Sequence, residues 1–160
     1  MIMIERQVSP EPGAFEQMAS LTLDTALFRS EFHLCDRVSE YLADIVAQSH
    51  EDPARYANFS SQLINEMIEF SFRSAVPTGQ IDFRLLKNEE RVRVSIEFAP
   101  VSDRQPDWLT NDTSAIANGH PAVGDLWGLA NAIRVNLHTE EHKENYVTLM
   151  ADFALLEAVR

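Results

Sequence analysis

The sequence predicts an α+β fold: a two-layer sandwich with helices packed on one face of a mixed, mostly antiparallel sheet. Three observations carry this. Ile81, Phe83 and Leu85 alternate with Asp82 and Arg84, and Val92, Val94, Ile96 and Phe98 alternate with Arg91, Arg93, Ser95 and Glu97. A period of two marks a strand with one buried face. The connection Lys87-Asn88-Glu89-Glu90 is too short for a crossover, so the two strands form an antiparallel hairpin. Finally, helices and hairpins are grouped along the chain rather than alternating strand by helix, which favours helices segregated to one side of a sheet.

Each element follows in order. Residues 1–17 begin with Ile2 and Ile4 and are interrupted by Pro10, Pro12 and Gly13, which reads as an N-terminal arm or edge strand. Residues 18–160 read as a single domain. Leu21-Thr22-Leu23 is a short strand. Over 25–49, Leu34, Val38, Tyr41, Leu42, Ile45 and Val46 recur at helical spacing, with Cys35 beside the stripe as a small packed hydrophobe. Asp52 and Pro53 suit an N-cap and a first helical position. The helix they open runs to about Ala75. Its stripe of Tyr56, Phe59, Leu63, Met67 and Phe70, widened by Ile64, Ile68 and Phe72, implies burial against a sheet or two neighbours. Pro77-Thr78-Gly79 is a turn before the hairpin. Residues 99–122, rich in Pro, Asp, Asn, Ser and Thr, form a long loop, and loops of that length inside a domain are commonly functional. A helix over 123–134 and a hairpin of 135–139 with 146–153 complete the chain.

Charge narrows the function classes. Twenty-five acidic residues against thirteen basic ones give −12 at pH 7. Phosphate backbones and anionic lipid repel such a chain, so neither nucleic acid nor membrane is an expected partner. A single cysteine excludes an internal disulfide and suits a reducing compartment. The start Met-Ile-Met-Ile-Glu lacks the pattern of a signal peptide, and no apolar run is long enough to cross a membrane, so a cytoplasmic protein is expected.

The polar residues that carry a chemical reading lie on the second long helix, in Asn65-Glu66-Met67-Ile68-Glu69. Asn65 and Glu69 are four apart and share a face, with Arg73 a turn further on. One reading is a solvated face with a Glu69–Arg73 ion pair. The other is a polar floor beneath a ligand, since a carboxylate and an amide oxygen on a rigid helix suit Mg²⁺. His33, His50, His120, His138 and His142 show no zinc-like grouping, and no Gly-x-Ser-x-Gly elbow is present. Trp108 and Trp127 flank the long loop; core packing is the default for each, and partner contact the alternative.

Leu21 to Phe98 resembles the histidine-kinase-like ATPase (GHKL) superfamily with its Bergerat-type fold, and is most similar to the anti-sigma-factor serine kinase branch and related bacterial regulators. The matching order is Leu21-Thr22-Leu23, the helix with Arg37-Val38-Ser39-Glu40-Tyr41-Leu42, the helix with Leu63-Ile64-Asn65-Glu66-Met67-Ile68-Glu69, then Gly79-Gln80-Ile81 and the hairpin. Gly124-Asp125-Leu126-Trp127-Gly128-Leu129 resembles the later glycine-rich segment. The resemblance implies a vestigial nucleotide pocket of Asn65, Glu66, Glu69, Asp103, Gly124 and Gly128. Three departures weaken it. Glu69 stands where the family places a Mg²⁺-ligating Asn. Ala99-Pro100-Val101-Ser102-Asp103-Arg104-Gln105 replaces an Asp-x-Gly-x-Gly motif and has no glycine. Only Gly124 and Gly128 remain of the phosphate loop.

The expected function is therefore a bacterial signalling regulator that works by protein–protein binding in a partner-switching or two-component-type pathway, without ATP hydrolysis and with no cofactor. By the same resemblance its partner would be a STAS-type antagonist domain, a sigma factor or a response regulator. Residues 99–122 and Trp108 and Trp127 would face that partner, and Ala151–Val159 would be either a sheet edge or the contact of a homodimer. The alternative is an active Mg-ATP-dependent protein serine kinase. Glu69 and Asn65 would then hold Mg²⁺, Asp103 would read adenine, and Gly124 and Gly128 would shape the phosphate lid. A third reading is an α+β domain outside this superfamily that binds a small ligand in a cleft.

Overall fold

The computed structural model describes residues 13–31, 33–48, 50–74, 76–100, 121–141 and 146–154. In chain order they form β1 (Glu16–Asp24), α1 (Thr25–Ser30), α2 (His33–Ala47), α3 (Pro53–Ser74), β2 (Pro77–Lys87), β3 (Arg91–Pro100), α4 (Pro121–Ala132), β4 (Asn136–Glu141) and β5 (Val147–Ala154). The five strands make one open sheet in the order β1-β2-β3-β5-β4. The α+β class and the helix-bearing layer agree with the sequence reading.

The hairpin of β2 and β3 is antiparallel, with Phe83 opposite Ile96 and Leu85 opposite Val94. Its turn is closed by Asn88, whose side-chain oxygen accepts from the Glu90 and Arg91 backbone N–H groups at 2.9 and 2.8 Å. Ile81, Phe83, Leu85, Val92, Val94, Ile96 and Phe98 all lie in the core, so the alternation did mark one buried face. Val147, Leu149, Ala151 and Phe153 of β5 extend that face.

Every pair of neighbouring strands is antiparallel, which corrects the expectation of a mixed sheet. The reason lies in the last three elements. β5 is antiparallel to both β3 and β4, so β3 and β4 run the same way on either side of it. The segment carrying α4 crosses from β3 to the far edge, and β5 returns into the gap as a split crossover. Ala151–Ala154 thus lies on an interior strand rather than a sheet edge; the rest of the stretch proposed as a dimer contact lies outside the described residues.

β1 is longer than the three residues expected. It pairs with β2 from Glu16↔Lys87 to Asp24↔Gln80, with a bulge between Gln17 and Ala19. The helix expected over 25–49 is two helices. Asp24 caps α1 by accepting from the Ala26 N–H at 2.9 Å, and the chain turns extended at Glu31 before α2 begins. Asp52 caps α3, accepting from the Arg55 N–H at 3.4 Å. The stripes fit with two exceptions: Tyr41 and Phe59 are exposed, at 55% and 36%. Cys35 sits within the buried stripe of α2 rather than beside it.

The sheet face opposite the helices carries a polar ladder. Asp152 is buried there and accepts two hydrogen bonds from Arg93, at 2.7 and 3.0 Å, with Arg91 3.7 Å away. The Phe15 ring lies 4.2 Å from the Arg93 guanidinium carbon, a cation–π contact.

Candidate functional site

α3 is the platform for the polar residues singled out in the sequence. It packs against α2 along its length and against α4 near its C-terminal half, where Trp127 meets Phe70 edge-on at 5.8 Å between ring centres. Leu63, Ile64, Met67, Ile68 and Phe70 are fully buried, which fixes the helix's rotation. Asn65, Glu66 and Glu69 are consequently held together, each half-buried.

Arg73 pairs with Glu66 at 3.7 Å, rather than with Glu69 as the four-residue spacing suggested. The two side chains are 54% and 35% exposed, so the pair contributes only about 0–1 kcal/mol. Glu69 lies within electrostatic reach of Cys35 and Asp36 at the start of α2. Burial pushes its carboxyl above the ordinary range, Glu66 and Asp36 push the same way, and Arg73 opposes them in part. The same crowding reaches Cys35, whose thiol is pushed up to about 11 by burial first and then by Glu69 and Asp36. A thiol so protonated is inert near neutral pH.

The Asn65 Oδ1 is buried and accepts no hydrogen bond from the described residues. A buried acceptor without a donor costs about 1–3 kcal/mol, so a cation or donor arriving there would relieve it. That is the feature of this face that fits Mg²⁺, with Glu69 one turn away as a second hard oxygen. Among the described residues, no group of three or more His, Cys, Asp or Glu converges to hold a metal by itself.

The glycines are placed differently from a phosphate lid. Gly124 and Gly128 both lie within α4. Gly128 is exposed, and a Cβ added there would meet nothing within 4 Å among the described residues, so none of them approaches its backbone closely enough to require glycine. Trp127 is half-buried on Phe70 and the core. Asp103 and Trp108 lie outside the described residues.

A cleft lies elsewhere, between β1 and α2, and sequence reading missed it. It encloses about 240 Å³. Leu21, Val38, Leu42 and Phe83 form its floor, and Arg37 and Tyr41 stand at its mouth. The signal that could have found it is Tyr41: an aromatic in the apolar period of a helix that turns out to stand at the sheet margin. A smaller cleft of about 90 Å³ lies at the start of α3, where His50 stacks on Tyr56 at 3.9 Å. Neither contains Asn65, Glu66 or Glu69.

No described helix is long and apolar enough to cross a membrane. No protein-family model matches the chain, and no curated protein matches it in sequence.

Proposed function

We propose that this chain is a cytoplasmic signalling regulator built on a degenerate histidine-kinase-like sandwich, which acts by binding another protein and does not hydrolyse ATP. Its partner would be a component of a partner-switching or two-component-type pathway: a STAS-type antagonist, a sigma factor or a response regulator. The superfamily assignment is part of the proposal, because the wholly antiparallel neighbours depart from the mixed sheet that the resemblance implies. The helix-bearing layer and the central place of α3 support it.

The observation that carries this reading is the electrostatics of the α3 face. Burial, Glu66 and Asp36 raise the cost of ionising Glu69, and Arg73 is the cation that opposes them there. A triphosphate placed on that face would meet net negative charge, while the glycines that should cradle it are helical. With nucleotide disfavoured, protein contact is the activity of the resembling regulators that remains open to this architecture.

Isothermal titration with ATP and ADP, with and without Mg²⁺, tests it. No heat up to millimolar nucleotide is the expected result. Binding at or below about 100 μM that Glu69→Ala removes would overturn it. That second outcome would favour an Mg-ATP-dependent protein serine kinase, the reading that the donorless Asn65 Oδ1 beside Glu69 supports.

A further inference from the structure

The two edges of the sheet are defended differently. A free edge presents unpaired backbone N–H and C=O groups, and proteins usually blunt it with charge, proline or brevity. β4 is short and carries His138, Glu140 and Glu141. β1 has nine residues, no proline, and an uncharged run from Gln17 to Leu23. Among the described residues nothing pairs with its outer side, and Gln17, Met18, Ser20 and Thr22 are exposed.

Across from this strand, α2 makes the other wall of the 240 Å³ cleft. That volume falls below the roughly 300–1,000 Å³ of sites that enclose a small molecule. It suits individual side chains delivered from a backbone outside the cleft. A strand laid against β1 would deliver them, because every second side chain would point to the helix side of the sheet. Main-chain hydrogen bonds would then give affinity and the cleft would give selectivity, as in strand addition generally. Charge adds a requirement. Arg37 is exposed at the mouth and forms no ion pair among the described residues, in a chain of net charge −12.

We propose that the outer edge of β1 is a strand-addition site for an extended segment of a partner protein, with apolar side chains at alternate positions and an acidic residue facing Arg37. This rests on the protein-binding reading above and specifies how the partner engages. A second copy fits less well. Antiparallel β1–β1 pairing centred on Ser20 sets Glu16 against a second copy's Asp24 at both ends, and like charges directly opposite destabilise a sheet.

The test pans the full chain against a displayed library of random dodecapeptides and titrates the selected peptide by fluorescence anisotropy. The expected consensus has apolar residues two apart and an Asp or Glu in fixed register. N-methylation of one alternate set of peptide amides abolishes binding, and methylation of the other set leaves it intact. Arg37→Glu weakens binding by about tenfold. Exchanging the peptide's acid for Lys restores it, which also shows that the variant is folded. Absence of any selected peptide, indifference to both methylated sets, or indifference to Arg37→Glu overturns the proposal. A dimer in sedimentation that Ser20→Lys dissolves overturns it too, since β1 would then be occupied by a second copy. The outcomes separate the two readings. Failed panning with no ATP binding removes only the β1 site, whereas Glu69-dependent ATP binding removes the regulator reading and leaves the panning result standing.

Discussion

Replacing Asp152 with Ala removes the acceptor at the centre of the sheet's polar face. Its side chain is 3% exposed and Arg93 is 22% exposed, with two bonds of 2.7 and 3.0 Å between them. Hydrogen bonds to charged groups contribute about 1.5–3 kcal/mol each, and breaking a buried ion pair costs about 3–5 kcal/mol. Arg93 is not fully enclosed and can turn toward water, and Arg91 is 46% exposed, so the lower end applies. A loss of about 3 kcal/mol is expected, or roughly 6–12 °C in Tm for a domain of this size. The guanidinium is itself a witness: the hydrogen bond it donates to Asp152 raises the Arg93 pKa despite burial, which acts the other way. The assay is urea unfolding of Asp152→Ala, Arg93→Met and the double variant. The double variant should be more stable than the sum of the singles by about 2 kcal/mol, because it leaves no stranded charge. Additive losses, or an Asp152→Ala cost below about 1 kcal/mol, would refute the claim that this pair is coupled and desolvated.

Two further outcomes follow from the α2–α3 contact. Glu69→Gln should raise stability at pH 7: the folded carboxyl lies above its ordinary value, so its contribution is present at low pH and is lost as pH rises through the folded pKa. The gain should vanish once the pH falls below the ordinary carboxylate range, and a gain in urea midpoint that persists there would contradict the assignment. Cys35, buried and with its thiol pushed up to about 11, should resist a disulfide reagent at pH 8 in the native state and react at once in urea. Fast native labelling would show that the α2–α3 seam opens.

Much of this protein's local structure is written in periodicity. Strict alternation marked β2 and β3 because each has one buried face, and the short Asn88 turn left only antiparallel pairing. α3 was legible because five large apolar residues recur at helical spacing and Asp52-Pro53 announces its start. β1 was underestimated because its polar positions Ser20 and Thr22 face the open side, which mutes the apolar signal. The division of α1 from α2 was hidden because both sides of the break carry helical periodicity, and it is the extended backbone at Glu31 that interrupts it. On the candidate site, sequence brought Asn65 and Glu69 to one face, but assigned Arg73 to the wrong acid. Four-residue spacing favours Glu69, and only the folded side-chain positions place Arg73 on Glu66.

What the sequence by itself determined is which residues are apolar, at what period, and which connections are too short to cross over. Those are local quantities, set by neighbours a few positions away. What only the tertiary structure decided is the placing of β5 between β3 and β4, the donorless oxygen of Asn65, the crowding of Glu69 by Asp36 across two helices, and the cleft between β1 and α2. Each depends on groups distant in the chain meeting in one place. No period records such meetings, because desolvation and charge coupling act through space and arise only once the layers have packed.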